Sequence, residues 1–169
     1  RLCPIGNCQL HPYEKCERNA EFMARFRRWG ELTDTLYIWH YNTNFTNYLQ
    51  PLPDLEEIAA DIPMYKRSGV IGIFMQGTYT ARNGPHGGGG WIDDLKQYLI
   101  ATMLWRTKVD PRAVRDDCLS GYFGKAGKPI GQYRDLLHAE ESVMRTMWGA
   151  STWRRWTVSD GQVTEGVPA

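Results

Sequence analysis

No stretch of this chain approaches the ~20 consecutive apolar residues that a membrane-crossing helix needs, so no membrane partner is expected. Charge of one sign is also missing: 20 Lys and Arg face 19 Asp and Glu, a formal net charge of +1 in 169 residues. Without a bulk positive field the chain lacks the electrostatic footprint that nucleic acid or an anionic surface requires. Gly-x-Ser-x-Gly does not occur, and Ser120-Gly121 falls at a helix end, which argues against a serine nucleophile. No Gly-Lys-Ser/Thr follows the glycines between Gly77 and Gly90, so a phosphate loop fails as well. The first residue is Arg1 rather than Met, and the opening residues do not read as a signal peptide. A processed protein or a fragment of a longer one is expected.

Cysteine is sparse. Of four in the chain, Cys3, Cys8 and Cys16 lie near the N-terminus around His11. The spacing Cys-x4-Cys-x2-His-x4-Cys departs from the paired close spacings of zinc modules, so a disulfide or plain buried thiols are expected and no metal or cofactor is assigned. Cys118 reads as a core thiol on a helix.

Aromatic residues are abundant, with seven Trp and nine Tyr. Most are expected in the core. The remainder matter because aromatic faces stack on sugars and flat ligands. Two runs organise the rest of the chain. Leu36-Tyr-Ile-Trp-His-Tyr-Asn-Thr-Asn44 begins apolar and ends polar, and Val70-Ile-Gly-Ile-Phe-Met-Gln-Gly77 repeats the plan. Strands are expected over 36–42 and 70–76, delivering Trp39, His40, Tyr41, Asn44 and Gln76 to their C-terminal ends. A helix between them, capped by Asp54 and broken or kinked at Pro63, makes a parallel βαβ unit, where sites gather at strand C-termini.

Around this unit the periodicity predicts further helices. One is capped by Asn19 and buries Phe22, Met23, Phe26, Trp29 and Leu32. A second runs from Trp91 to Trp105, a third opens at Asp110-Pro111 and stops near Gly124, and a fourth from about Pro129 extends past Met144. Residues 151–169 read as a tail or a truncated element. The domain expectation is a partial barrel over 1–108, a helical extension over 109–150, then this tail.

The carboxylate pairs Glu56-Glu57, Asp93-Asp94, Asp116-Asp117 and Glu140-Glu141 all fall on expected helices and read as solvated faces rather than as a glycosidase acid and its partner. His40 has no carboxylate identifiable beside it, and reads as a hydrogen-bonded rim histidine. What stands at the strand ends is uncharged: Trp39, His40, Tyr41, Asn44 and Gln76, joined by Trp91 at the start of the helix that follows the glycine-rich loop. Such groups hold a polyhydroxylated ligand.

The succession Cys8…His11-Pro12…Cys16…Asn19…Trp29, the two strand runs, Tyr48-Leu-Gln-Pro-Leu-Pro53 and Gly121-Tyr-Phe-Gly124 resembles domain-of-unknown-function family 4838 over about residues 3 to 138. That family overlaps glycoside hydrolase family 163, characterised as endo-β-N-acetylglucosaminidases. The resemblance implies an α/β fold, the C-terminal portion of a (β/α)8 TIM-like barrel followed by a helical extension. It also implies a glycan or oligosaccharide substrate, an extracellular or periplasmic location, and retaining hydrolysis assisted by the substrate's acetamido group, with catalytic carboxylates upstream of this chain. At His40 the sequence departs from the family pattern, which often carries aspartate there. A non-catalytic carbohydrate-binding or structural module is the alternative.

Overall fold

The computed structural model describes residues 1–43, 51–77 and 93–139, together with the backbone of strands at 155–159 and 162–166. The chain divides into two compact units, Arg1–Ala139 and Glu140–Ala169.

The first unit is mixed α/β. Two 3-10 turns, Tyr13–Lys15 and Glu17–Asn19, lead into helix α1 (Ala20–Leu32), strand β1 (Tyr37–Tyr41), helix α2 (Leu55–Arg67) and strand β2 (Gly72–Gln76). Helices α3 (Asp93–Trp105), α4 (Pro111–Phe123) and α5 (Gly127–Ala139) follow. β1 and β2 pair in parallel, with Tyr37 opposite Gly72, Trp39 opposite Phe74 and Tyr41 opposite Gln76. Leu2 extends this ladder from the far side of β1 through a parallel bridge to Ile38, donating to Tyr37 O and accepting from Trp39 N, both at 2.8 Å.

The starts and stops follow local chemistry. Asp110 caps α4 by accepting from the Arg112 amide at 3.0 Å, and Pro111 occupies the first helical turn, where a missing N–H costs nothing. α2 ends at Gly69, whose φ of +80° is the left-handed conformation that glycine adopts freely. Two other glycines are fixed by close approach. The Tyr37 ring lies where a Cβ on Gly72 would stand, and α5 meets the α4 backbone at Gly127, where a Cβ would fall 2.2 Å from Leu119 O.

Two apolar cores flank α2. One joins Leu55, Ile58 and Ile62 of α2 to Leu95, Leu99 and Met103 of α3 and to Val114, Cys118 and Leu119 of α4. The other gathers Phe22, Met23 and Phe26 of α1 with Tyr13, Ile38, Met64 and Tyr65. A buried large-to-small change in either, such as Ile58→Ala, costs about 2–5 kcal/mol.

Several expectations are corrected. Trp29 and Leu32, assigned to the buried stripe of α1, are 48% and 59% exposed. The stripe ends at Phe26 because Tyr65 closes the cluster there with an edge-on ring contact at 5.7 Å. Pro63 does not interrupt α2, which runs continuously from Leu55 to Arg67. Asn19 and Asp54 make no side-chain capping hydrogen bonds, because both side chains are engaged elsewhere. The last helix, whose periodicity rests on Tyr133 and Leu136 among others, leaves both exposed and buries Arg134 instead.

In the second unit the described backbone is an antiparallel pair, β3 (Arg155–Ser159) and β4 (Gln162–Gly166), with Thr157 opposite Thr164. The segment expected to continue the last helix past Ala139 lies outside the described residues. No described helix is long and apolar enough to cross a membrane.

Candidate functional site

Side chains alternate across a strand, so β1 presents two different surfaces. Ile38 and His40 point to the helix-covered side and are about 1% exposed. Tyr37, Trp39 and Tyr41 take the other side with Gly72, Phe74 and Gln76 of β2. That side carries no described helix: Tyr37 is 45% and Phe74 50% exposed. Trp39 and Phe74 meet edge to face at 4.9 Å, and the Arg1 guanidinium lies 5.4 Å from the Trp39 ring centroid. Tyr41 and Gln76 form the last register pair, at the C-terminal end of the ladder. Burial, then the charge of the neighbouring Cys3 thiol and a hydrogen bond with it, push the Tyr41 hydroxyl up from its ordinary value.

The structure therefore brings Trp39, Tyr41 and Gln76 onto one face that no described helix covers and sends His40 to the opposite one. Asn44 and Trp91 lie outside the described residues.

On the covered side His40 enters a buried polar network. Its Nδ1 stands 3.2 Å from the Tyr65 hydroxyl, and its Nε2 comes within 2.9 Å of Glu57 Oε1, though not along a well-directed hydrogen bond. Glu57 stands beside Asp61 one turn later on α2, close enough for each carboxyl to shift the other's ionisation, and Asp61 Oδ1 accepts from the Tyr13 amide at 3.0 Å. Beside this chain, Lys96 Nζ of α3 lies 2.7 Å from Asp54 Oδ1 and 3.5 Å from the Asn42 carbonyl. All of these side chains are essentially sealed from solvent, none more than 3% exposed.

Burial decides their charge states. Desolvation lowers His40 to about 4 and outweighs the attraction of Asp61 and Asp54, so the imidazole is neutral at pH 7. Desolvation and the neighbouring Glu57 carboxyl raise Asp61 to about 9, and Glu57 is raised well above its ordinary value by burial and then by Asp54. Two carboxyls side by side in a dry site share a proton rather than both ionise. Burial likewise raises Asp54 despite Lys96, while the Tyr13 and Tyr65 hydroxyls stay protonated. The network fastens the C-terminal end of β1 to α2, α3 and the Tyr13 turn.

The sequence reading placed Glu57 on a solvated face and found no carboxylate near His40; the structure reverses both points. A signal existed. Asp54, Glu57, Asp61 and Tyr65 recur at three- and four-residue steps, which puts them on one side of a helix. That side abuts the apolar positions Ile58 and Ile62. By contrast Asp94, Asp116 and Asp117 are exposed, as a solvated face requires.

A second cluster lies among the helices. A cleft of about 330 Å³ between α2, α4 and α5 is bordered by Glu56, Arg112, Arg115 and Arg134. Arg134 pairs with Glu56 and with Asp135 (3.2 Å), and His138 Nε2 lies 2.9 Å from Glu56 Oε2. Although burial pushes the Glu56 carboxyl up, these partners hold it below its ordinary value. Arg115 is likewise engaged with Asp116 and Asp135. These pairings link helices.

At the N-terminus, Cys8, His11 and Cys16 bring their ligand atoms within 4.8 Å of one another. All four cysteines are unbridged.

Comparison with curated proteins and with solved structures gave no match. One family model matches most of the chain, over residues 1–135, and spans the whole βαβ unit, α3, α4 and most of α5. The chain belongs to the family described as Domain of unknown function (DUF4838).

Proposed function

We propose that the chain is the C-terminal portion of a barrel glycoside hydrolase, and that the uncovered face of β1 and β2 is part of its saccharide cleft. The observation that carries this reading is the sidedness of the ladder. Two parallel strands joined through a helix have their helices on one face, and the other face ends in Trp39, Tyr41 and Gln76. In a (β/α)8 barrel that second face is the barrel interior, and its C-terminal rim is where substrates bind. Leu2, paired in parallel with Ile38, stands where a preceding stave would lie.

The chemistry suits a sugar. Trp39 offers an apolar ring face, its indole N–H being buried, Tyr41 offers a ring with a polar edge, and the Gln76 amide both donates and accepts. Neither strand contains a carboxyl group. The acid/base and the group that orients the substrate's acetamide then come from staves that precede this segment. The substrate is a glycan containing N-acetylglucosamine, and the whole enzyme is secreted.

His40 serves this reading indirectly, as the strand residue that anchors the rim from behind. In the full-length parent, Trp39→Ala and Gln76→Ala are expected to lower kcat/KM on an N-glycan substrate about ten-fold or more while leaving the fold intact. Unchanged turnover in both variants removes the face from the cleft. The alternative, a carbohydrate-binding portion without hydrolysis, is favoured by the absence of carboxyls from the two strands. It predicts retained glycan binding and no turnover in the full-length parent.

A further inference from the structure

We propose that Cys8, His11 and Cys16 form a binding site for a soft divalent cation, Zn²⁺ being the fitting ion, with the fourth tetrahedral corner left to water. The Cys8 Sγ and His11 Nδ1 atoms lie 3.1 Å apart, and Cys16 Sγ lies 3.9 Å from the same nitrogen. With Zn–S near 2.3 Å and Zn–N near 2.05 Å, tetrahedral angles require a sulfur–nitrogen separation of about 3.6 Å. The two observed separations bracket that value, and the two sulfurs, within 4.8 Å of each other against about 3.8 Å in a tetrahedral site, draw together by up to about 1 Å as the ion enters. Two thiolates and an imidazole are the donor set that selects zinc over magnesium or calcium. Among the described residues, no further His, Cys, Asp or Glu joins the group.

The loop is built to hold these donors before any ion arrives. Asn19, fully buried, clasps the Cys8 backbone twice: its Oδ1 accepts from Cys8 N at 2.8 Å and its Nδ2 donates to Cys8 O at 2.9 Å. One 3-10 turn, closed by Lys15 N to Pro12 O, sets the spacing between His11 and Cys16, and a second, closed by Asn19 N to Cys16 O, holds the Cys16 carbonyl from the other side. Tyr13, between the ligands in sequence, is locked by its amide to Asp61. Cys8 is buried while His11 and Cys16 are partly exposed, which gives an ion a route from solvent. Burial raises the Cys8 thiol, so in the absence of a cation it stays protonated. On binding, both thiols release their protons to solvent and two metal–sulfur bonds form, with no change of oxidation state.

The spacing alone concealed this site, because Cys3 seemed to belong to it. In the fold Cys3 is exposed and associates with Tyr41 at the strand edge. The remaining pattern, Cys-x2-His-x4-Cys, is compact enough for a single ion.

The test uses this chain, reduced and freed of metal, titrated with Co²⁺ and then Zn²⁺. One equivalent of Co²⁺ is expected to give a thiolate-to-cobalt charge-transfer band, which Zn²⁺ abolishes. Zinc is also expected to protect Cys8 and Cys16, but not Cys3, from alkylation. Cys8→Ser and Cys16→Ser should abolish the band, and Asn19→Ala, which frees the Cys8 backbone, should weaken affinity about 10–100-fold. His11→Gln, at a partly exposed position, keeps the test decisive if a cysteine variant fails to fold: it should weaken affinity at least 100-fold. A band that survives in His11→Gln, or reduced protein that takes up less than stoichiometric cobalt and zinc, overturns the proposal. So does a Cys8–Cys16 disulfide in protein isolated without reductant whose reduced form binds neither ion.

Discussion

The two faces of the β1–β2 ladder are one residue apart in sequence and opposite in character. On the covered face His40 meets Glu57, Asp61 and Tyr65 in a sealed network whose imidazole and paired carboxyls are kept from full ionisation by burial. On the open face Trp39, Tyr41, Phe74 and Gln76 meet no described helix. The contrast teaches a division of labour. The polar groups that look catalytic hold the strand, and the aromatic and amide groups that look like packing are the ones turned outward.

The largest expected effect is on the covered face. Lys96→Met leaves the Asp54 carboxyl buried without its cation, and unpartnered buried charge of this kind costs about 3–5 kcal/mol. Adding Asp54→Asn should recover most of that loss, since replacing both members of a buried pair is far less costly than removing one. Denaturant titration of the single and double variants measures the difference. Equal stabilities for the single variant and the parent break the comparison.

Next comes the pH profile. The His40 pKa is lowered from 6.5 to about 4, so its contribution is present above 6.5 and drains as pH falls toward 4. The Asp61 pKa is raised from 3.8 to about 9, so its contribution is present below 3.8 and drains as pH rises toward 9. The two oppose each other between 4 and 6.5. From pH 6.5 to 9 only the carboxyl side remains, and stability should fall by up to about 1.4 kcal/mol per pH unit for each proton lost on unfolding. Asp61→Asn keeps an acceptor for the Tyr13 amide and a donor toward Glu57 yet cannot ionise, so it should flatten that decline. A slope unaltered by Asp61→Asn assigns the decline to other groups.

Smaller still is Tyr65→Phe, which deletes the hydroxyl facing His40 Nδ1 and should cost about 1 kcal/mol by thermal or chemical denaturation. The open face should give a loss in the same small range. Trp39→Ala breaks the edge-to-face contact with Phe74, worth about 0.5–1.5 kcal/mol beyond area burial, with no change in the pH profile. A loss above 3 kcal/mol would mean that Trp39 is core.

Much of the architecture is legible in the residues. The strand runs, the Asp110-Pro111 start of α4 and the Gly69 stop are local signals, and tertiary packing did not override them. Asn19 and Asp54 were misread because both have residue types suited to helix caps, whereas each serves a partner far along the chain: Asn19 holds Cys8, and Asp54 meets Lys96. Sequence spacing reveals neighbours three or four residues apart and not pairings such as Asn19 with Cys8 or Asp54 with Lys96. The same limit hid the carboxylates beside His40, although strand alternation already separates it from Trp39 and Tyr41. Trp29 and Leu32 show the converse, for a helical stripe marks where apolar residues align and not how far a neighbour covers them.

The central claim is that the open face takes a saccharide while the covered face does not. Fluorine NMR of the chain carrying fluorotryptophan, with the Trp39 resonance assigned through Trp39→Phe, tests it during titration with an N-acetylglucosamine oligosaccharide. The account predicts a saturable shift of the Trp39 resonance that is weakened in Gln76→Ala and retained in Tyr65→Phe. A Trp39 resonance that stays fixed through saturating oligosaccharide, or shifts equally in Gln76→Ala, contradicts it.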